Sequence, residues 1–191
     1  VLAAIAARYS FLCVSTVEPR KSQQQILEAT ELLWERGIDV NLVFVGQQGW
    51  KIEGLAHRIR NHPELGSRLF WLKGISDEYL EKIYAVSACL IAASLNEGFG
   101  LPLIEAARHD LPIIARDIPV FREVAADNAY YFNGEAAVDL ATALEQWLAL
   151  YQHGTHPRSS SLRWSTWQQS SERLKHALIN ENYRRRQLLV D

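Results

Sequence analysis

Short apolar runs alternate along this chain with longer stretches whose apolar positions recur every three or four residues. Residues 11–17, 41–45, 69–72, 90–93, 113–115 and 130–132 are brief and almost wholly apolar, and read as strands. Between them, residues 22–36, 50–61, 76–86, 102–109 and 136–151 carry the helical period. In 22–36 the stripe is Ile26, Leu27, Thr30, Leu33 and Trp34, with Ser22 at the N-cap and Gly37 where a helix-ending glycine belongs. Residues 50–61 stop ahead of Pro63, and Pro102 stands at the first helical position, where its missing N–H costs nothing. Strands separated by such helices form βαβ units, and strands without a polar face are buried on both sides. The pattern predicts an α/β fold, a Rossmann-like parallel sheet with helices on both faces, over residues 1–151. Residues 152–165 are polar and turn-rich and read as a linker. A last helix within 166–191 carries Trp167, Leu174, Leu178 and Tyr183.

Ligands of such sheets bind beyond the carboxyl ends of the strands. The segments there, 18–22, 46–49, 74–77 and 96–101, collect polar residues and glycines. The most informative stretch is Glu97-Gly98-Phe99-Gly100-Leu101-Pro102-Leu103-Ile104-Glu105. It places one carboxylate at a strand end, two glycines at a turn, and a second carboxylate in a helix's opening turns. Helix N-termini attract phosphate, glycines let backbone approach a ligand closely, and carboxylates accept hydrogen bonds from sugar hydroxyls. A nucleotide-sugar makes all three demands. Arg20 and Lys21, after the first strand, are candidates for a diphosphate. On spacing alone they are equally a solvated basic pair. Cations at a helix N-terminus oppose its dipole, which favours the anion-binding reading. Glu97 and Glu105 would be drawn against a pocket by Phe99, Leu101, Leu103 and Ile104. A carboxylate pair also suits hydrolysis, and sequence separation does not fix a distance, so hydrolysis, transfer and simple binding stay open.

Composition removes other classes. A length of 191 residues allows one substantial core, and 20 Lys plus Arg against 22 Asp plus Glu gives no reason to expect a nucleic-acid partner. No apolar run approaches the ~20 residues of a membrane span, and no secretory signal is legible. Cys13 and Cys89 lie in apolar strands and read as buried reduced thiols, which points to the cytoplasm; a disulfide would need neighbouring strands. The chain begins Val1-Leu2 and holds no methionine, which suggests a piece excised from a longer protein. There is no Walker A loop, no third glycine after Gly98-Phe99-Gly100, no zinc spacing among the six histidines, and no Asp-x-Asp to hold a metal on a diphosphate. No cofactor or metal is expected. Cys89 lacks a base partner and is not expected to act as a nucleophile. Arg184-Arg185-Arg186 is a candidate contact with anionic lipid, though three such charges also suit a helix end.

From about Phe11 to Leu150 the chain resembles the C-terminal, nucleotide-sugar-binding domain of retaining glycosyltransferases of family 4, the C-terminal half of a GT-B fold. The resemblance rests on Val17-Glu18-Pro19-Arg20-Lys21-Ser22, residues 42–50, Gly74-Ile75-Ser76-Asp77-Glu78-Tyr79-Leu80, the nonapeptide, Leu111-Pro112-Ile113-Ile114-Ala115 and residues 118–124, in that order. Trp164-Ser165-Thr166-Trp167 resembles the aromatic motif before the family's last helix, which crosses toward an N-terminal acceptor domain. The resemblance implies that Glu97 contacts the donor sugar near the reacting centre and Glu105 holds the ribose. It also implies that Gly98, Phe99, Gly100 and Leu101 cradle sugar and diphosphate through their backbone, that Lys21 with Arg20 binds phosphate, and that Gly74, Ile75 and Ser76 contact the base. Two departures stand out. Ser15-Thr16 replaces a Gly or Gly-Arg found in relatives, which removes one phosphate charge partner. Asp110 replaces a glycine, at a position where Asp tolerates a left-handed backbone.

By resemblance to the Glu-Pro-Arg-Lys subgroup, the expected activity is transfer of a hexose, mannose from GDP-mannose, to a glycan or lipid-linked acceptor with retention. It belongs to polysaccharide or lipopolysaccharide synthesis, in the cytoplasm or at the inner face of the membrane. The chain alone is expected to be inactive. UDP-sugar transfer, a non-catalytic binding module and a two-glutamate hydrolase are the other readings.

Overall fold

The structure, a computed structural model, describes residues 1–162, 164 and 167–187. Six strands, β1 (Tyr9–Val14), β2 (Val40–Val45), β3 (Leu69–Leu72), β4 (Cys89–Ala92), β5 (Ile113–Arg116) and β6 (Tyr130–Phe132), form one sheet in the order β3-β2-β1-β4-β5-β6. Every pairing is parallel. The helices are α1 (Leu2–Ala6), α2 (Gln23–Glu35), α3 (Glu53–Arg60), α4 (Asp77–Val86), α5 (Leu101–Arg108), α6 (Pro119–Ala125), α7 (Ala137–Gln152) and α8 (Trp167–Gln187).

Strand alternation splits the core in two. Phe11, Cys13, Leu42 and Phe44 face the layer filled by Leu27 and Leu33 of α2 and by Leu144 and Trp147 of α7. Leu12, Val43 and Val45 face the opposite layer, built by Ile5, Ile83, Leu103 and Phe121. The strand order reverses direction between β1 and β4. β1 leads on to β2 on one side and β4 to β5 on the other, and a crevice lies at the carboxyl ends of the strands where the two connections part.

Each predicted strand and helix is present, with boundaries displaced by a few residues. Gly37 ends α2 in the left-handed conformation; its N–H reaches Trp34 O and that of Ile38 reaches Leu33 O, a Schellman ending. Asp110 is left-handed at φ 52°, as its sequence position allows. α1 and α6 were not legible, because five and seven residues are too few to register a helical period.

Several details correct the sequence reading. β1 ends at Val14, not Val17, and the chain re-pairs only at Val17 with Gln48. Pro102 is the second helical residue because Gly100 is the N-cap; an N–H there would also lack a helical acceptor, so proline costs nothing at this position either. Ser22 stands at the α2 N-cap in a left-handed conformation and makes no side-chain cap bond. Arg20 and Lys21 therefore lie in a separate 3-10 turn, Pro19–Lys21, rather than in α2's first turn. Within the residues read as a linker, Ser159 and Leu162 are buried, and Leu162 packs into the α5 side of the core. Arg184, Arg185 and Arg186 have side chains outside the described residues, as do Ser165 and Thr166 of the aromatic motif.

Cys13 and Cys89 are buried and free. β1 and β4 are neighbours, but Cys89 pairs with Phe11, two residues before Cys13. Burial pushes the Cys13 thiol up to about 12 and raises Cys89 well above its ordinary value, so neither is a nucleophile near neutral pH.

Candidate functional site

The loops after β1 and β4 meet across the switch point. The Leu95 N–H donates to Arg20 O at 2.8 Å, which fastens the 3-10 turn to the loop preceding Glu97. Gln23, fully buried at the start of α2, braces the turn from behind through Ser15 Oγ (2.8 Å) and Thr16 O (3.0 Å). With both loops held, Lys21 Nζ and Ser94 Oγ (2.9 Å) donate to Glu97 Oε1, and Arg20 reaches Oε2 at 3.2 Å. Arg20 also binds Glu18 at 2.7 Å. The crevice is lined by Ser15, Lys21, Ser94, Glu97, Pro102 and Phe121, among others, and its volume is small, about 20 Å³. The lysine and the glutamate are paired with one another.

Burial pushes the Glu97 carboxyl up, but hydrogen bonds from Lys21 and Ser94 and the Lys21 charge outweigh it and hold Glu97 below its ordinary value. A depressed native pKa adds stability above the unfolded pKa, and that stability is lost as pH falls through the native value. Urea midpoints followed from about pH 6 to about pH 3 should therefore decline less steeply in Glu97→Gln than in the parent. Parallel curves would contradict the coupling.

The second carboxylate is held separately. Glu105 on α5 accepts from Tyr84 Oη at 2.9 Å, and Tyr84 is buried on α4. The predicted pocket around the glutamates is only half present. Leu103 is buried, whereas Phe99 and Leu101 are 55% and 47% exposed. Gly98 is open on every side, while a Cβ at Gly100, left-handed at φ 88°, would come within 3.1 Å of Phe121. Gly74, Ile75 and Ser76 lie between β3 and α4; Ser76 caps α4 by accepting from the Tyr79 N–H at 3.3 Å. The 46–49 segment does not offer its glycines to the crevice. Gly46 and Gly49 pack against the backbone of residues 15–17. No group of acidic, histidine or cysteine side chains among the described residues is arranged to hold a metal ion.

Sequence reasoning missed Ser94, Gln23, Tyr84 and Arg116. Arg116, buried at the end of β5, donates to Ala93 O (2.9 Å), to Gly134 O and to Gln25 Oε1, and so ties the end of β4 to the first turn of α2. Its visible signal was a charge closing an otherwise apolar strand. Desolvation lowers its pKa, and Glu135 and Asp139 act against this. Tyr84 and Glu105 are 21 positions apart and left no local trace, whereas Ser94 lies three residues before Glu97 and Gln23 eight after Ser15.

The family described as Glycosyl transferases group 1 matches residues 4–160. The chain belongs to that family. Over 172 residues this group 1 glycosyl transferase chain is 56% identical to the serotype-specific mannosyltransferase WbdA of Escherichia coli, covering 90% of the chain and 21% of WbdA. It is 32% identical over 120 residues to the O-antigen chain mannosyltransferase B of Escherichia coli, covering 61% of the chain and 30% of that protein. The chain thus spans about a fifth of the length of the WbdA relatives it matches. Its fold matches the C-terminal domain of a group 1 glycosyl transferase (LpcC) from Francisella tularensis with a TM-score of 0.67 at 18% identity, covering 80% of each chain. It also matches the catalytic domain of starch synthase IV from Arabidopsis thaliana, bound to ADP and acarbose, with a TM-score of 0.72 at 20% identity, covering 88% of this chain and 37% of that one. The α/β architecture is that of the C-terminal domain of GT-B glycosyltransferases.

No helix among the described residues is long and apolar enough to cross a membrane.

Proposed function

We propose that this domain binds GDP-mannose and forms the donor half of a retaining mannosyltransferase in bacterial polysaccharide or lipopolysaccharide synthesis. The observation that carries the reading is the convergence of Lys21, Arg20 and Ser94 on Glu97, at the switch point and beside the start of α5. Two cations held at that place suit a diphosphate, and the N-terminus of α5 adds its dipole. The mannosyltransferase relatives support mannose as the sugar.

In this reading the diphosphate takes Lys21 from Glu97, and the freed carboxylate turns to the donor sugar. Glu105 accepts from the ribose hydroxyls, residues 98–101 cradle the sugar and diphosphate, and residues 74–76 contact the base through backbone. As the anomeric bond breaks, Lys21, Arg20 and the helix end stabilise the charge gathering on the leaving diphosphate, the part a divalent ion plays elsewhere. The acceptor hydroxyl attacks from the same face, which retains the configuration. The acceptor, a glycan or lipid-linked glycan, is presented by an N-terminal domain toward which α8 crosses, at the cytoplasmic face of the membrane.

Calorimetry of this chain with GDP, UDP and ADP tests the reading. GDP should bind tightest, and GDP-mannose should displace it. Absence of binding by all three at about 1 mM would remove the donor-domain assignment. A preference for UDP would move the donor to a UDP-sugar. A complete enzyme that binds GDP-mannose yet transfers nothing would leave a nucleotide-sugar-binding module.

A further inference from the structure

Tyr84 carries a hydroxyl that packing does not require. Its ring lies in the core layer with Ile83, Leu90, Leu103, Ala106 and Ala107, where phenylalanine would fill the same space. A hydroxyl buried there costs free energy unless it is bonded, and this one is bonded to a single acceptor, Glu105 Oε2 at 2.9 Å. The ring is clamped as well. It stacks on His109, next after α5, with centroids 4.8 Å apart and planes 4° from parallel. Burial, with the Glu105 charge and hydrogen bond adding to it, raises the phenol's pKa far above its ordinary value, so the group is a permanent donor.

Among the described residues no other side-chain hydrogen bond reaches the Glu105 carboxylate, so its second oxygen is left free to accept. Tyr84 belongs to α4, whose N-terminal end begins directly after Gly74, Ile75 and Ser76. One helix therefore joins the loop assigned to the base and the carboxylate assigned to the ribose. We propose that Tyr84 is a positioning residue for donor recognition: it fixes the Glu105 carboxylate so that the free oxygen meets the ribose hydroxyls in register with the base loop. The proposal rests on the donor-domain reading, and goes beyond it in naming the group that orients the ribose contact.

The test compares GDP with 2′,3′-dideoxy-GDP, which lacks both ribose hydroxyls, by calorimetry on this chain. Hydrogen bonds to a charged group imply that the parent prefers GDP by roughly 10- to 100-fold. Tyr84→Phe should cut that preference about tenfold and leave the affinity for the dideoxy compound unchanged, which also reports that the variant is folded. Glu105→Gln should abolish most of the preference, and Tyr84→Phe added to it should change the preference no further. A merely structural tyrosine would instead weaken both ligands alike. Parental discrimination in Tyr84→Phe, or additive losses in the double variant, would overturn the proposal while leaving the donor-domain reading intact. A parent that binds no GDP, or a Glu105→Gln variant that keeps full discrimination, would overturn the ribose assignment and the proposal with it.

Discussion

Replacing Lys21 with alanine is expected to weaken GDP binding by roughly 100-fold, whereas Glu97→Gln, one bond away, should tighten it several-fold. The opposed signs follow from the geometry. Lys21 and Glu97 are each about one-tenth exposed at their side chains and bonded to one another, so neither is bathed in screening solvent. A charge-assisted bond to phosphate contributes about 1.5–3 kcal/mol, which Lys21→Ala removes. The same change leaves Glu97, now with only Ser94 and the half-exposed Arg20, as a negative group facing an incoming diphosphate. Glu97→Gln does the reverse: it frees the ammonium and removes the like charge. If Glu97 instead served only to hold the loops together, both substitutions would weaken binding together. Calorimetry with GDP on the two variants decides it, and a change under about threefold for Lys21→Ala would remove that residue from the phosphate site.

Much of this arrangement was legible in the sequence, for reasons that differ from residue to residue. The strands declared themselves because a parallel sheet covered on both faces leaves no polar face to confuse the pattern. Glu97, Lys21 and Glu105 were legible because each sits at a fixed distance from a strand end, and that is where such folds place ligands. Their partners were not. Whether Lys21 reaches Glu97 depends on Ser22 turning left-handed and on Leu95 bonding to Arg20, 75 positions away in the chain and invisible to any local pattern. Tyr84 drew no reading from the sequence, because only its hydroxyl sets it apart from an apolar position of α4 and that partner lies on α5. Residues 46–49 were legible as a glycine-bearing segment beyond a strand end; that Gly46 and Gly49 are there for the close approach of the protein's own backbone was not.

Gly46 carries the largest stability effect expected. Gly46→Ala should destabilise the chain by about 3–5 kcal/mol, combining backbone strain with overpacking. Gly46 has φ 148°, and a Cβ there would drive into the carbonyl oxygen of Ser15 and lie 3.2 Å from Thr16 N. Neither side can yield. Ser15 N–H is bonded to Val45 O at 3.0 Å, Gly46 N–H to Leu72 O at 3.0 Å, and Gly46 O accepts from Trp71 Nε1 at 3.0 Å. Relief therefore means parting β1 from β2 at their carboxyl ends, the point from which the Lys21 turn departs. Gly37 is the control. It is also left-handed, at φ 77°, but nothing lies within 4 Å of a Cβ there, so Gly37→Ala should cost only about 1 kcal/mol of local strain. Urea unfolding of the two variants separates the causes: equal losses would mean that conformation alone matters, and that the close approach of the two loops contributes nothing. With the loops held apart, any Gly46→Ala protein that still folds should lose GDP affinity alongside stability, because residues 15–17 set the place from which Lys21 reaches the crevice.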